Sequence, residues 1–251
     1  MSRVERPVRV LALGGLEPSG QAGLLADVEA ARALGALPFA VATALTAQGK
    51  RTFAVQGVSA QVLRRQLAAL RELSPIDAVK LGMVPDVGAL RAIARGLEGL
   101  SAPWVVDPVV RTSLGRRLST LTRADYLGLA GPRVVLTPNL AEAAWLAGVS
   151  RRPDGPLGAA KLGAWLVGKG FRAVVVKGGH ARGEPADVVC TREGAVVLRD
   201  HRLPREGARG TGCRFATSLA VALARGEDVV EAAEVAKQMV RRHLVRGMVL
   251  G

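Results

Sequence analysis

One rhythm constrains this chain more than any other feature. Six short, near-continuous apolar runs, VRVLAL (8–13), FAVATAL (39–45), AVKLG (78–82), WVVDP (104–108), VVLTP (134–138) and AVVVKGG (173–179), are separated by stretches of helical periodicity at 21–35, 59–73, 86–99, 122–130, 140–147 and 157–169. Strands without polar alternation are buried on both faces, as in a parallel sheet covered by helices. The β-then-α order predicts an α/β fold with a doubly wound, mostly parallel central sheet flanked by helices. DVVCTREGAVVLRDHRL (187–203) breaks the rhythm and reads as a hairpin turning at Arg192-Glu193-Gly194. Two helices, 213–225 and 228–245, close the chain, the second keeping Val230, Ala233, Val240 and Leu244 on one face. No linker, low-complexity tract or repeat divides the sequence, so one domain over 1–251 is expected.

Composition excludes several classes. With 49% hydrophobic residues a large core can form and disorder is disfavoured. No apolar run reaches the roughly 18 residues a membrane span needs. The opening MSRVERPVRVLALGG reads as an entering strand, not a leader peptide. Two cysteines, Cys190 and Cys213, fit a cytoplasmic chain better than a disulfide scaffold. The net charge of +14 comes from scattered arginines, paired only in places such as Arg151-Arg152 and Arg241-Arg242, and aromatics total 3%. That pattern argues against nucleic acid, which wants a basic block with stacking platforms, and suits a small anion such as a nucleotide.

In open parallel sheets ligands sit beyond the carboxyl ends of the strands. Reading off those ends gives Gly14-Gly15, Gln48, Gly82-Met83, Asp107-Pro108, Thr137-Pro138-Asn139 and Lys177-Gly178-Gly179-His180, which should converge on one rim. The Gly-rich 14–23 loop allows close backbone approach to a ligand, or is an ordinary βα loop. Asp27 follows one turn into the next helix, where an acid also suits the helix dipole. Asp107 and Glu142 could hold Mg²⁺ through water; equally, Glu142 could be a first-turn acid capped by Asn139. Lys177, at a buried strand end, would be costly to desolvate alone and is read as facing an anion. His180, His201 and His243 lack metal-ligand spacing. No Walker loop and no Gly-x-Gly-x-x-Gly after the first strand is present. The turn Gly210-Thr211-Gly212-Cys213, opening a small-residue helix, is then the best candidate for binding phosphate through backbone amides.

The segments EPSGQAGLLAD, ALGALPFAVATALTAQG, DAVKLGMV, VVDPVV, LTPNLAEA, VVVKGGH and GTGC, in that order along almost the whole chain, resemble the hydroxymethylpyrimidine/phosphomethylpyrimidine kinases of thiamine biosynthesis, in the ribokinase-like superfamily. The resemblance implies transfer of the ATP γ-phosphoryl group to a hydroxymethyl aminopyrimidine and then to its monophosphate, with Mg²⁺, and by analogy a homodimer. It implies Cys213 as catalytic residue and Gly210, Thr211 and Gly212 as the anion hole. Gln48 would hydrogen-bond the pyrimidine, with Gly15, Asp27, Met83 and Val109 shaping its pocket. Asp107 and Glu142 would bear on Mg-ATP, and Asn139 and Lys177 on phosphates. A helix N-terminus would lower the Cys213 thiol enough for it to serve as a base. Alternatives in the same frame are a pyridoxine/pyridoxal-type kinase and a non-catalytic nucleotide- or pyrimidine-binding paralogue. The chain departs from the family pattern at Glu17, where aspartate is usual, at Gly207-Ala208-Arg209, where Asn-Thr-His is usual, and at Arg214, where a small threonine is usual. Arg209 and Arg214 are expected either to hold extra phosphate or to fill the site. AQGKRTFAVQG (47–57) lacks the usual Asn, so an ATP-side lid is expected to differ there.

Overall fold

The computed structural model describes residues 6–49, 51–112, 115–150, 153–179, 184–203 and 209–249. His180, Gly207, Ala208 and the Arg151-Arg152 pair lie outside them. In chain order the elements are β1 (Arg9–Leu16), α1 (Gly23–Ala33), β2 (Leu37–Gln48), β3 (Phe53–Gly57), α2 (Ala60–Leu73), β4 (Ala78–Leu81), α3 (Val87–Gly96) and β5 (Trp104–Val106). They continue with α4 (Arg123–Leu127), β6 (Val134–Leu136), α5 (Leu140–Ala147), α6 (Gly155–Val167), β7 (Ala173–Val176), β8 (Ala186–Cys190), β9 (Ala195–Arg199), α7 (Thr211–Ala224) and α8 (Val229–Val249). The strands form one sheet in the order β3-β2-β1-β4-β5-β6-β7-β8-β9. From β2 through β7 all pairings are parallel, and the expected hairpin is present as antiparallel β8 and β9. No described helix is long and apolar enough to cross a membrane.

Strand alternation divides the core in two. Leu11, Leu13, Val79, Leu81, Val106, Leu136, Val174 and Val176 face the layer that contains α2, α3, α5 and α6. Val10, Ala78, Val105, Val135, Ala173 and Val175 face α1, α7 and α8. A period of two along β4 therefore sends Lys80 to the same side as Ala78, toward α1 and α7. Side chains on both faces are buried, which is why these strands read as continuous apolar runs.

The strand missed by sequence reading is β3. It pairs antiparallel with the end of β2, from Ala44–Gly57 to Gln48–Phe53, at the edge of the sheet. Only five residues long and largely exposed, it has just Phe53-Ala54-Val55 before Gln56 and Gly57, too short an apolar run to stand out as the others did. From β1 the chain crosses to β2 on one side, and after α2 it returns to β4 on the other. This reversal opens a crevice at the carboxyl ends of β1 and β4, where an α/β sheet binds its ligands.

Candidate active site

The rim of that crevice is capped by the start of α7. Gly210 is its N-cap in the left-handed region, φ 75°, and a Cβ there would lie 2.0 Å from the Gln21 carbonyl oxygen. Only glycine fits. No side chain caps the helix, so the first-turn amides, which have no intrahelical acceptors, remain available to an anion. Gly23, the first residue of α1 and also at positive φ, directs its amide at the Cys213 sulfur. Cys213 thus lies where two helices begin. Even so, its thiol is pushed up from the ordinary range, first by burial and further by Asp27 and Asp107, against the opposing pull of Lys80 and the Gly23 amide. The expected lowering by the helix terminus is overturned: desolvation and nearby carboxylates outweigh it, and the sulfur stays protonated at neutral pH.

Two lysine–aspartate pairs border the turn. Lys177, just past β7, lies 2.7 Å from Asp107, just past β5. A Cβ on Gly212 would be 3.2 Å from the Lys177 Nζ and 3.5 Å from Asp107 Oδ2, so this pair abuts the first turn of α7. Burial works against the Lys177 charge, but Asp107 and Glu142 more than restore it, and its pKa is raised. The desolvation cost that suggested an anion partner is therefore met in part by Asp107. Asn139 and Glu142 form a reciprocal capping box on α5: Asn139 Oδ1 accepts from the Glu142 amide at 2.9 Å, and Glu142 Oε2 accepts from the Asn139 amide at 2.7 Å. A bridge between Asn139 and Lys177 brings them to the same rim. Burial, with Asp107 adding to it against Lys177, pushes the Glu142 carboxyl up to about 7.

The second pair escaped the sequence reading. Lys80 Nζ meets Asp27 Oδ2 at 2.7 Å, with side chains 1% and 0% exposed, and Thr217 of α7 donates to Asp27 Oδ1 at 2.8 Å. Burial would lower the lysine, but Asp27, Cys213 and Asp107 hold its pKa above the ordinary value. Burial likewise raises the Asp27 carboxyl against the pull of Lys80. The legible signal was a lysine inside AVKL, a strand otherwise apolar on both faces, which demands a buried counter-charge.

Beside these charges lies an apolar patch. Ala44, Met83 and Leu118 pack with Phe53, Val55 and Val109. Gly15 faces it, since a Cβ there would touch Met83 Sδ and Thr46 Cγ2 at 3.4 Å. Gln48 joins through Nε2, which donates to Thr46 Oγ1 at 3.1 Å. Gly15, Gln48, Met83 and Val109 therefore gather around one patch. Asp27 does not line the patch: fully buried, with both oxygens engaged, it stands behind Gly14 and shapes the wall from within. The 47–57 segment is also reassigned. As the β2–β3 hairpin it walls this patch, and β2 lies five strands, about 24 Å, from the β7 end that bears Lys177.

Other departures resolve locally. Glu17, 3% exposed, folds back onto Ser19, accepting from its amide at 3.1 Å and from its hydroxyl. Arg214 is held at the N-cap by its neighbours: its guanidinium donates to Gln21 O at 3.0 Å, to Gly210 O at 3.4 Å and to Glu29. It therefore neither fills the turn nor stands free for phosphate. Arg209 donates to Gln48 Oε1 at 2.8 Å. His201 is exposed beside Glu184. Among the described residues no cluster of three or more His, Cys, Asp or Glu is poised to hold a metal.

The chain is similar to known kinases along most of its length. The model of the family described as phosphomethylpyrimidine kinase matches residues 17–251. A hydroxymethylpyrimidine/phosphomethylpyrimidine kinase of Streptomyces coelicolor is 34% identical over 250 residues, covering 98% of this chain and 91% of that protein. The crystal structure of phosphomethylpyrimidine kinase from Clostridium difficile matches with a TM-score of 0.80 at 26% identity, over 94% of this chain and 99% of that one. Pyridoxal kinase from Staphylococcus aureus in complex with ADP matches with a TM-score of 0.86 at 25% identity, over 94% and 88%. With a ribokinase-like sheet, an open amide turn at the start of α7 and this similarity along almost its whole length, the chain belongs to the phosphomethylpyrimidine kinase family.

Proposed function

We propose that the protein phosphorylates 4-amino-5-hydroxymethyl-2-methylpyrimidine and then its monophosphate with ATP, as a cytoplasmic enzyme of thiamine biosynthesis. The observation that carries this reading is the uncapped first turn of α7, set between an apolar patch able to take a flat ring and the Lys177–Asp107 pair able to face phosphate. Met83 and Val109 would cover the ring and the Gln48 amide would hydrogen-bond its edge. The amides of Thr211, Gly212 and Cys213, with Lys177, would stabilise charge on the migrating phosphoryl group.

The residues present fit Mg²⁺: Asp107, just past β5, and Glu142, in the first turn of α5, supply hard oxygen donors on the same rim, for an ion that keeps most of its waters and binds substrate phosphates. When bound, the ion would neutralise triphosphate charge. A protonated Cys213 cannot accept the acceptor's proton at the outset. It would instead orient the hydroxyl, which suffices in a loose transition state where little proton removal is needed early.

The test is an ATP-consumption assay with the hydroxymethylpyrimidine, its monophosphate and pyridoxine. Turnover of both pyrimidines is expected. Likeness to a pyridoxal kinase at a TM-score of 0.86 supplies the second reading. Turnover of pyridoxine alone would select it. Tight nucleotide binding with no ADP released on any of the three would instead select a non-catalytic paralogue.

A further inference from the structure

Two arginines flank the amide turn, and they differ in one respect. Arg214 is 4% exposed, and three of its five N–H donors go to Gln21, Gly210 and Glu29. Arg209 makes a single hydrogen bond, from Nη2 to the neutral Gln48 Oε1, and no ion pair among the described residues. A guanidinium carries five N–H donors, so four remain. Gln48 is itself held from behind: Nε2 donates to Thr46 Oγ1 at 3.1 Å, and Thr46 Oγ1 donates to Leu16 O at 3.3 Å. The relay keeps the Gln48 carbonyl turned to Arg209. A half-buried cation is thereby suspended between the patch that suits a ring and Gly210, the N-cap of the turn that suits a phosphoryl group.

We infer that Arg209 is a specificity-determining residue, which grips the phosphate of a phosphorylated acceptor and so favours the second phosphorylation over the first. The inference rests on the pyrimidine-kinase reading above. The two steps differ in what they ask of the site. With the alcohol, the hydroxyl oxygen bonds to the γ-phosphorus, the β–γ bridging bond breaks with its electron pair leaving on ADP, and the hydroxyl proton passes to solvent. With the monophosphate, a non-bridging oxygen of the dianion makes the same attack and the same bond breaks. ADP leaves, a diphosphate ester forms, and no proton need be lost. The difficulty of the second step is charge: a dianion must approach the triphosphate. A nearby guanidinium offsets that repulsion, and a bidentate charge-assisted pair with phosphate outcompetes its single bond to a neutral amide.

The experiment compares kcat/KM for the monophosphate with that for the alcohol, at saturating ATP, in the wild type, Arg209→Gln and Arg209→Lys. The ratio of the two is expected to fall about 30-fold in Arg209→Gln, the scale of a lost charged hydrogen bond. Arg209→Lys should lie between, keeping the charge but losing the planar fork. A ratio unchanged in Arg209→Gln, whether or not both activities fall together, overturns the inference and leaves the function standing. A wild type that turns over neither pyrimidine overturns the functional reading, and this inference with it.

Discussion

The ammonium of Lys80 and the carboxylate of Asp27 meet at 2.7 Å with neither side chain open to solvent, joining β4 to α1 while Thr217 ties in α7. Breaking one partner of such a pair strands the other as an uncompensated buried charge. Lys80→Met should therefore lower stability by about 3–5 kcal/mol in urea unfolding. The double variant Lys80→Met/Asp27→Asn, with no charge to strand, should recover most of that loss. A double variant as unstable as the single would show that the pair is not the source.

Cys213 is partly accessible, yet its thiol is held up by burial and by Asp27 and Asp107. Its alkylation by iodoacetamide at pH 8, followed by peptide mass mapping to separate it from Cys190, should be slower than that of a free cysteine in a short peptide. Faster reaction would restore the thiolate reading. Cys213→Ala should lose about 100-fold in turnover, the scale of a mispositioned reacting group, while binding ADP as before. Equal turnover would remove Cys213 from the chemistry.

Glu142 gives a pH dependence of unusual sign. Its folded pKa, about 7, lies above the ordinary 4.5, so between those values the native state holds more proton than the unfolded chain. Stability from this group is full below about pH 4.5 and is lost as pH rises to about 7. Thermal melts of the ligand-free protein from pH 5 to 8 should show a downward component that Glu142→Gln removes. An identical slope in both proteins would refute it.

Gly210 combines a positive φ with a Cβ position only 2.0 Å from the Gln21 carbonyl. Gly210→Ala should cost about 2–3 kcal/mol of stability, because backbone cannot yield as a side-chain tip can. It should also reduce turnover by displacing the first turn of α7. A stable and fully active variant would show that the turn needs no such geometry.

Much of this was legible in the sequence because it rests on local pattern. The apolar runs named β1, β2 and β4 to β7, the Asn139/Glu142 box has a capping signature, and Gly210-Thr211-Gly212 announced an uncapped helix start. What stayed hidden depends on distant partners. Lys80 found its meaning only across 53 residues, in Asp27. Arg214 looked like an obstruction until Glu29, 185 residues away, was seen to hold it. The Cys213 shift reversed because enclosure and two remote carboxylates outvote a dipole that sequence shows plainly. β3 escaped because an exposed edge strand needs no apolar continuity.

The turn at the head of α7 follows, in chain order, every group it faces, from Gly15 to Lys177. Its helix also supplies Phe215, Ala216, Leu219 and Ala220 to the core face shared with Val10, Ala78, Val105, Val135 and Val175. The proposed seat for a phosphoryl group and that core face are therefore completed together, when α7 packs against α1 and the sheet. A variant lacking α7 would forfeit that packed face along with the amide turn, so the seat cannot be removed by truncation without unsettling the fold.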